Sequence, residues 1–236
     1  KLSSIGEELD AGERLKIFRD FFKEDVSATA EFDFKEAVKR GHDFKDWFAP
    51  DSMEFLQDHF KIDGRYGRVL YMQDYATYVR DSMVSELCDL SRNLMLSIDI
   101  LPVPTDEAVI EIQNKLLGVE TNVTNWQRRQ NENNNFSATI PYEMELQRTE
   151  TKEMLNDLTT RDQRMMFGVL TIVHMADSYK ELNSDTETLK SIARKNLCQL
   201  STLRWQQMDG LHTALPFGPR KINALRTLTT ESTAVL

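Results

Sequence analysis

Residues 52–75 read SMEFLQDHFKIDGRYGRVLYMQDY, and in this stretch the apolar periodicity changes from helical to extended. The residues are β-branched, aromatic or alternating from Ser52 to Ile62 and again from Arg65 to Tyr75. Asp63-Gly64 lies between the two runs, and Asp-Gly is a preferred pair for a type I′ turn, whose two central residues both need positive φ. The stretch therefore predicts a β-hairpin with one strand on each side of this turn.

An amphipathic helix is expected before the hairpin. The segment GERLKIFRDFFKED, residues 12–25, has four apolar side chains on one helical stripe: Leu15, Phe18, Phe21 and Phe22. Asp33 and Glu36 have the spacing of a capping box and predict a second short helix. Residues 1–50 are therefore expected to form an N-terminal helical segment.

Further strands and helices are expected after the hairpin. A helix fits Val79 to Leu90, and a strand follows from Leu94 to Val103. A second strand is predicted from Met166 to His174. Ser184 and Glu187 then have capping-box spacing and predict a helix. Its inward side chains are expected to be Leu189, Ile192, Ala193, Leu197 and Leu200.

The end of the chain completes the pattern, with a strand at Thr202 to Gln207 and a short helix around Gly210 to Leu215. Leaving out residues 104–160, the order of elements is β-α-β followed by β-α-β. This order predicts an α+β fold with a ferredoxin-like split βαβ sheet and packed helices. Its core would be built from residues 51–103 and 161–236, in a single domain.

Residues 104–160 predict a long helical hairpin inserted into that core. Thr105 is expected to cap the first helix, with Asp106 and Glu107 in its first turn. A coiled-coil seam follows at Val109, Ile112, Leu116, Val119, Val123 and Trp126. The polar run QRRQNENNN, residues 127–135, ends it, and Pro141 suits the start of a returning helix. The return arm has a weaker apolar stripe at Met144, Met154, Leu155 and Leu158. The same pattern also fits two core helices.

The composition excludes several classes of protein. With 236 residues, 40% of them hydrophobic, the chain can bury a sizeable core. A net charge of −9 opposes nucleic-acid binding, which needs clustered Lys and Arg. Cys88 and Cys198 are expected to be buried reduced thiols, which suits the cytosol. The longest apolar run, residues 167–173, is shorter than the roughly 20 residues of a membrane span.

No catalytic motif stands out in the sequence. It contains no G-x-x-x-x-G-K-[ST] phosphate-binding loop and no G-x-S-x-G motif. Four histidines are scattered without metal-ligand spacing: His42, His59, His174 and His212. His59 is expected at a solvent-facing strand position and His174 to be a hydrogen-bonded structural residue. Asp99, in a predicted strand, is the one carboxylate that the pattern allows to be partly buried, and thus a candidate for chemistry. The alternative is that Asp99 faces solvent on the sheet or caps a neighbouring element.

Several short segments, taken in order, resemble the N-terminal region of the CagE/TrbE family, the VirB-type traffic ATPases of bacterial type IV secretion and conjugation systems. The matching segments are GERLKIFRDFF, KDWFAPDSMEF, GRYGRVLYMQDY, MLSIDILPVP, QQMDGLHTALPFG and RTLTTESTAVL. The similarity extends over nearly the whole chain, although each motif is short. Their order and spacing are the basis of the resemblance.

The resemblance implies a non-catalytic assembly and docking domain, with ATP and Mg bound only by a nucleotide-binding domain that follows in the whole protein. It implies a cytoplasmic location at the inner face of the membrane. The implied partners are inner-membrane proteins of the secretion channel and other copies of the ATPase, so membrane association is peripheral and homo-oligomers can form. Direct contact with nucleic acid is not expected. The alternatives are a free-standing helical-hairpin adaptor and a small-substrate enzyme with a pocket around Asp99 or His174.

The tip of the hairpin is the candidate partner interface on either of the first two readings. Its residues are Trp126, Arg128, Arg129, Asn133 and Phe136. Trp126 would be buried if the arms only pack on each other, and exposed if the tip docks on a partner. We expect docking at the tip and packing along the seam from Val109 to Val123.

Overall fold

The computed structural model describes residues 10–23, 33–43, 45–75, 81–90, 93–135, 139–216 and 218–234. Within these ranges the helices are α1 (Ala11–Phe22), α2 (Phe34–Arg40), α3 (Lys45–Phe48), α4 (Asp81–Cys88), α5 (Thr105–Glu132), α6 (Tyr142–Thr160), α7 (Tyr179–Lys195), α8 (Gln207–Ala214) and α9 (Thr230–Thr233). The strands are β1 (Met53–Phe55), β2 (Phe60–Ile62), β3 (Arg65–Asp74), β4 (Leu94–Pro102), β5 (Met165–Ala176), β6 (Gln199–Thr202) and β7 (Arg226–Thr229). One antiparallel sheet contains these strands, so the fold is α+β.

The Asp63-Gly64 turn is confirmed. Asp63 has φ 49° and Gly64 has φ 86°, and Ile62 pairs with Arg65 across the turn. The single strand predicted from Ser52 to Ile62 is wrong, because a second tight turn divides it into β1 and β2. In that turn the backbone N–H of Leu56 donates to the carbonyl oxygen of His59 at 2.9 Å. The chain therefore forms two successive hairpins.

The strand order along the sheet is β1-β2-β3-β5-β4, with β6 also paired to β3 and β7 also paired to β5. β3 and β4 are both antiparallel to β5, so they run parallel to each other. Four central strands thus follow the order β6-β3-β5-β4. The ferredoxin-like assignment of these four strands stays a prediction.

Helices cover both faces of the sheet. On one face Val69 and Val173 pack in a cluster with the phenylalanines of α1 and with α8. On the other face Leu70 and Ile172 pack in a cluster with α4 and α7. Strands covered on both faces are apolar in succession rather than alternating. This explains the continuous apolar runs in β3 and β5. The inward stripe predicted for the first helix is confirmed at Phe18, Phe21 and Phe22, which are buried in the first cluster.

The predicted start of α7 is wrong. The helix begins six residues earlier, because the hydroxyl of Ser178 accepts a hydrogen bond from the backbone N–H of Glu181 at 3.2 Å. Ser184 lies inside the helix, with its backbone carbonyl accepting from Thr188. The N-cap residue is therefore Ser178, whereas the spacing of Ser184 and Glu187 predicted Ser184, six residues further along the chain.

The predicted end of α7 is also wrong. Leu197 is 81% exposed rather than inward, and Leu200 belongs to β6. The backbone N–H groups of Leu197 and Cys198 donate to the carbonyls of Arg194 and Ala193 at 3.0 and 2.9 Å. These two bonds form a Schellman motif, which places Leu197 in the left-handed region at φ 57°. Glycine usually has this position, and a leucine there costs roughly 1–2 kcal/mol.

The strand predicted from Thr202 to Gln207 lies earlier, because the side chain of Gln207 ends the ladder. Its carboxamide is 1% exposed; the amide nitrogen donates to the carbonyls of Leu203 and Val69, and the oxygen accepts from the N–H of Val69 at 2.8 Å. The side chain of Gln207 thus pairs with backbone groups of Val69 and Leu203 that would otherwise bond to each other or to a further strand residue. The chain then enters α8.

The helical hairpin consists of α5 and α6, which pack on each other. Ile112 and Val123 are buried in the predicted seam, and the rest of the seam is half-buried. At the base, Ala108, Leu158 and Met165 join Ile112 in a separate apolar cluster. The cap predicted at Thr105 is wrong: Pro104 has the N-cap position, with no side-chain hydrogen bond, although the acidic first turn is confirmed. In the described ranges no helix has the length and apolarity needed to cross a bilayer.

The positive φ of Gly64 gives the first prediction. A Cβ at Gly64 would meet nothing within 4 Å, so the cost of a substitution is conformational rather than steric. We expect Gly64→Val to lower the free energy of unfolding by about 1 kcal/mol or more. Gly64→Asn is the matched control, since asparagine tolerates the left-handed region and should cost less. Urea denaturation measures both, and equal stability of the valine variant and the wild type would contradict the prediction.

Candidate protein-interaction site

The predicted interface residues lie at the far end of α5. Trp126 is half-buried, so neither of the two extreme expectations for it holds. Arg128 and Arg129 are exposed, and the Nε of Arg128 donates to the Oε1 of Glu132 at 3.1 Å. Asn133 is the exposed C-cap residue of α5, and its backbone N–H donates to the carbonyl of Arg129 at 3.1 Å. Phe136 lies outside the described residues.

Two exposed apolar residues on α6 were missed in the sequence. Tyr142, the first residue of α6, is 78% exposed, and Leu146 one turn later is also exposed. Their i, i+4 spacing places them on one face of the helix. This signal is present in the sequence, but the seam residue Met144 lies between them and belongs to another face. The tip therefore presents more apolar surface than its sequence indicated.

Trp126 lies at about the height of Tyr142 and Leu146 along the hairpin. The Nε of Arg148 donates to the Oε1 of Glu120 at 2.9 Å, which fixes the antiparallel register of the two helices. Both helices rise 1.5 Å per residue. Trp126, six positions after Glu120, therefore lies about level with Tyr142, six positions before Arg148. Trp126, Tyr142 and Leu146 thus lie within about one helical turn of one another along the arm. We call these three residues the tip patch.

Ion pairs connect the two arms below the tip patch. Glu120 accepts from Arg148, and its Oε1 also lies 3.0 Å from the Nζ of Lys152. The hydrogen bonds from Arg148 and Lys152 hold the pKa of Glu120 below its usual value, and the bond with Glu120 raises the pKa of Arg148. These partly exposed pairs set the register of the arms and contribute little to stability.

A second polar cluster lies between the β1–β2 turn, β3 and α7, centred on Arg68. Its guanidinium is nearly buried at 4% exposure, and it donates to the carbonyl of Asp58 at 2.9 Å and to the Oδ2 of Asp58 at 3.0 Å. It also donates to Asn183 at 2.9 Å and to the hydroxyl of Thr186 at 2.8 Å. Four acceptors therefore surround the guanidinium. Arg68 joins the β1–β2 turn to α7.

His59 belongs to this cluster, which corrects the expectation of a solvent-facing strand position. It lies in the β1–β2 turn, its Nδ1 is 2.7 Å from the Oδ1 of Asp58, and its ring is 4.8 Å from that of Tyr179. His174 is the structural histidine that was expected: it is 1% exposed, with Nε2 3.1 Å from the hydroxyl of Thr186. The guanidinium of Arg68 and the hydroxyl of Thr186 find their hydrogen-bond partners inside the cluster, which is typical of a structural network.

The remaining candidates for chemistry lie apart from each other. Asp99 is half-buried opposite Val169 in the β4–β5 ladder. Cys198 is buried as expected, but Cys88 is exposed, at the end of α4, so its predicted burial is wrong. Among the described residues, no group of three or more His, Cys, Asp or Glu side chains could hold a metal ion.

No protein-family model matches this chain, and no curated protein matches it.

The carboxylate of Asp58 gives a prediction for acid pH. Burial raises the pKa of Asp58, but the hydrogen bond with His59 and the charge of Arg68 outweigh it, so the pKa lies below the ordinary value. The unfolded chain, with a pKa of about 3.9, therefore binds more protons than the folded one near that pH. The stability that Asp58 contributes is fully present above the pKa of the unfolded chain. It is lost as the pH falls through the lower pKa of the folded chain.

We expect Asp58→Asn to make the decrease in unfolding free energy below about pH 4 less steep. Urea denaturation at a series of pH values between about 6 and 3 measures this slope. The matched control is Asp89→Asn, at an exposed carboxylate, which should leave the slope as it is. An unchanged slope in the Asp58 variant would contradict the role of this pair.

Proposed function

We propose that this chain is a non-catalytic assembly and docking domain of a type IV secretion or conjugative-transfer ATPase of the CagE/TrbE, VirB-type family. The observation that supports this best is the helical hairpin. α5 has 28 residues, which at 1.5 Å per residue is about 42 Å. Its apolar contact with the rest of the fold is the cluster at its base. An arm of this kind presents its far end to another molecule.

The surface of the arm also favours protein contacts. Besides the tip patch, Ile110 and Leu117 are exposed, and their spacing of seven residues places them on one face of α5. Aromatic residues and arginine are the residue types enriched at binding hot spots, and Tyr142, Trp126 and Arg128 belong to them. The net charge of −9 fits protein partners better than nucleic acid.

The proposal includes the setting that the family resemblance implies. The domain would be cytoplasmic, at the inner face of the membrane, held there by inner-membrane proteins of the secretion channel. Other copies of the ATPase would be further partners. ATP and Mg would bind to a nucleotide-binding domain elsewhere in the whole protein, and this domain would transmit its movement to the channel.

The second candidate is a free-standing adaptor whose hairpin binds a helix of another protein. The exposed face of α5 with Ile110 and Leu117 would suit a third helix packed along the arm. The two functions differ in the part of the arm that they need. Docking to a channel uses the tip patch, whereas a helix adaptor uses the side of the arm.

The tip patch can be tested by the double variant Trp126→Ala, Tyr142→Ala in the full-length protein. We expect the fold to persist, because Tyr142 is exposed and Trp126 is only half-buried, so the loss should be less than the roughly 3 kcal/mol of a fully buried Trp. Co-purification with channel proteins and the frequency of conjugative transfer should fall by about tenfold or more.

Val38→Ala is the matched control, since Val38 is an exposed apolar residue on α2, and it should leave both measurements unchanged. Normal assembly and transfer in the double variant, or after deletion of residues 126–140, would contradict docking through the tip. Loss of partner binding only in Ile110→Ala, Leu117→Ala would favour the adaptor.

Nucleotide binding provides a separate test of the non-catalytic role. Residues 1–236 lack the glycine-rich phosphate loop with its lysine, so we expect no heat of ATP binding in titration calorimetry at micromolar concentrations. Titrations with and without Mg should both show no heat of binding. Saturable binding that a single substitution within these residues abolishes would contradict the proposal.

A further inference from the structure

The outer edge of β6 is an open edge of the sheet. β6 pairs with β3 on one side, and within the described ranges no strand pairs with its other side. The N–H of Leu203 points towards β3, since it donates to the carbonyl of Val69 at 3.2 Å. Successive residues of an antiparallel strand alternate in this direction. The N–H and carbonyl groups of Leu200 and Thr202 therefore point away from β3, towards the open edge.

A groove of about 730 Å³ runs along this edge and is lined by all four residues of β6. Lys190 and Arg194 of α7 line it, together with Arg204. Natural proteins protect most open edges by pairing, covering or bending them. Here the edge is bordered by an open groove instead.

The charges around the groove are locally positive. Lys190 and Arg194 share one carboxylate, Glu187, at 3.3 and 3.8 Å. Asp74, which also lines the groove, lies 3.7 Å from Arg226. The charged residues that line the groove are three cations, Lys190, Arg194 and Arg204, and one carboxylate, Asp74, on a chain whose net charge is −9. A ligand of this groove is therefore expected to be acidic.

Two large apolar side chains project into solvent at the ends of the strand. Leu197 precedes β6 and is 81% exposed, and Trp205 follows it and is 78% exposed. Both have left-handed backbones, with φ 57° and 62°. Bulky residues rarely adopt this conformation, and such strain is concentrated at functional sites. Their exposure gives the isolated fold no packing energy, so we relate it to binding.

We propose that the outer edge of β6 is a strand-addition site for an extended acidic segment of a partner protein. The backbone groups of Leu200 and Thr202 would pair with the added strand. Carboxylates of that strand would contact Lys190, Arg194 and Arg204, and its apolar residues would pack on Leu197 and Trp205. This site is separate from the tip patch and does not depend on the function proposed for the hairpin.

A second copy of this chain is a poorer occupant than an acidic segment. Two β6 edges paired with each other would bring two sets of the same basic side chains together. Like charges at short range across an interface oppose association. The charge of the groove thus favours a partner of opposite sign.

The test uses a short synthetic peptide, blocked at both ends, in which glutamate alternates with valine. The same peptide with lysine in place of glutamate is the charge control. Amide hydrogen exchange, followed by NMR, is expected to slow at Leu200 and Thr202 when the glutamate peptide is added. Exchange at Ser201, whose N–H points towards β3, should not change. The fluorescence of Trp205 should shift to the blue, measured in a Trp47→Phe, Trp126→Phe background.

Three variants separate the parts of the site. Thr202→Pro removes an outward N–H that the pairing with β3 does not use, and Thr202→Val is its matched control; proline should weaken peptide binding by about tenfold. Arg204→Glu should abolish the preference for the glutamate peptide. Leu197→Gly removes an apolar contact and relieves the left-handed backbone, so it should weaken binding while raising thermal stability. If the proline variant does not fold, Arg204→Glu and Leu197→Gly still test the proposal.

Several outcomes would overturn the proposal. One is equal binding of the two peptides, and another is unchanged exchange at Leu200 and Thr202 with millimolar glutamate peptide. Slow exchange at these amides without peptide, at every protein concentration, would mean that the chain covers its own edge. If that slow exchange instead disappears on dilution, a second copy occupies the site.

Discussion

The structure depends on the position of β5 in the middle of the sheet. This strand, Met165–Ala176, pairs with β3, β4 and β7, and helices pack on both of its faces. All of its residues except Met166 and Phe167 are buried, so nearly all of its side chains are apolar. Gly168 allows the close approach of β7, since a Cβ there would lie 2.5 Å from a side-chain carbon of Leu228. The hairpin arm returns to the sheet just before this strand, since α6 ends at Thr160.

Burial on both faces also explains the polar cluster around Arg68. A charged side chain in a doubly covered strand must find all of its partners within the protein. Arg68 finds them in the β1–β2 turn and in α7, which are far apart in sequence. His174 of β5 joins the same network through Thr186. The cluster therefore connects the segment from Asp58 to Arg68 with the segment from His174 to Thr186.

The proposed interaction surfaces lie at different places on this platform. The hairpin leaves the fold between β4 and β5, on one side of the sheet, and β6 lies at the other side, beyond β3. A domain with this arrangement could bind two partners at once, one at the tip patch and one along β6.

The sequence by itself determined those features whose cause is local. Asp63-Gly64 specifies its turn through backbone preference, and the 3-4 spacing from Val109 to Trp126 specifies a seam, because one helical face must be buried. Runs such as residues 94–103 and 166–174 are apolar enough to indicate strands. At the hairpin tip, the sequence indicated the arm and its aromatic residue, but not Tyr142 and Leu146.

Only the tertiary structure decided the features in which distant groups compete. Gln207 ends β6 because its side chain replaces a rung of the ladder with Val69, a residue 138 positions away. Leu197 fits a helical stripe, yet the Schellman motif at the end of α7 turns it into solvent. His59 alternates like a strand residue but lies in a turn that Asp58 and Arg68 hold. Periodicity records which face of an element can be buried, whereas the partners that bury it are set by contacts across the fold.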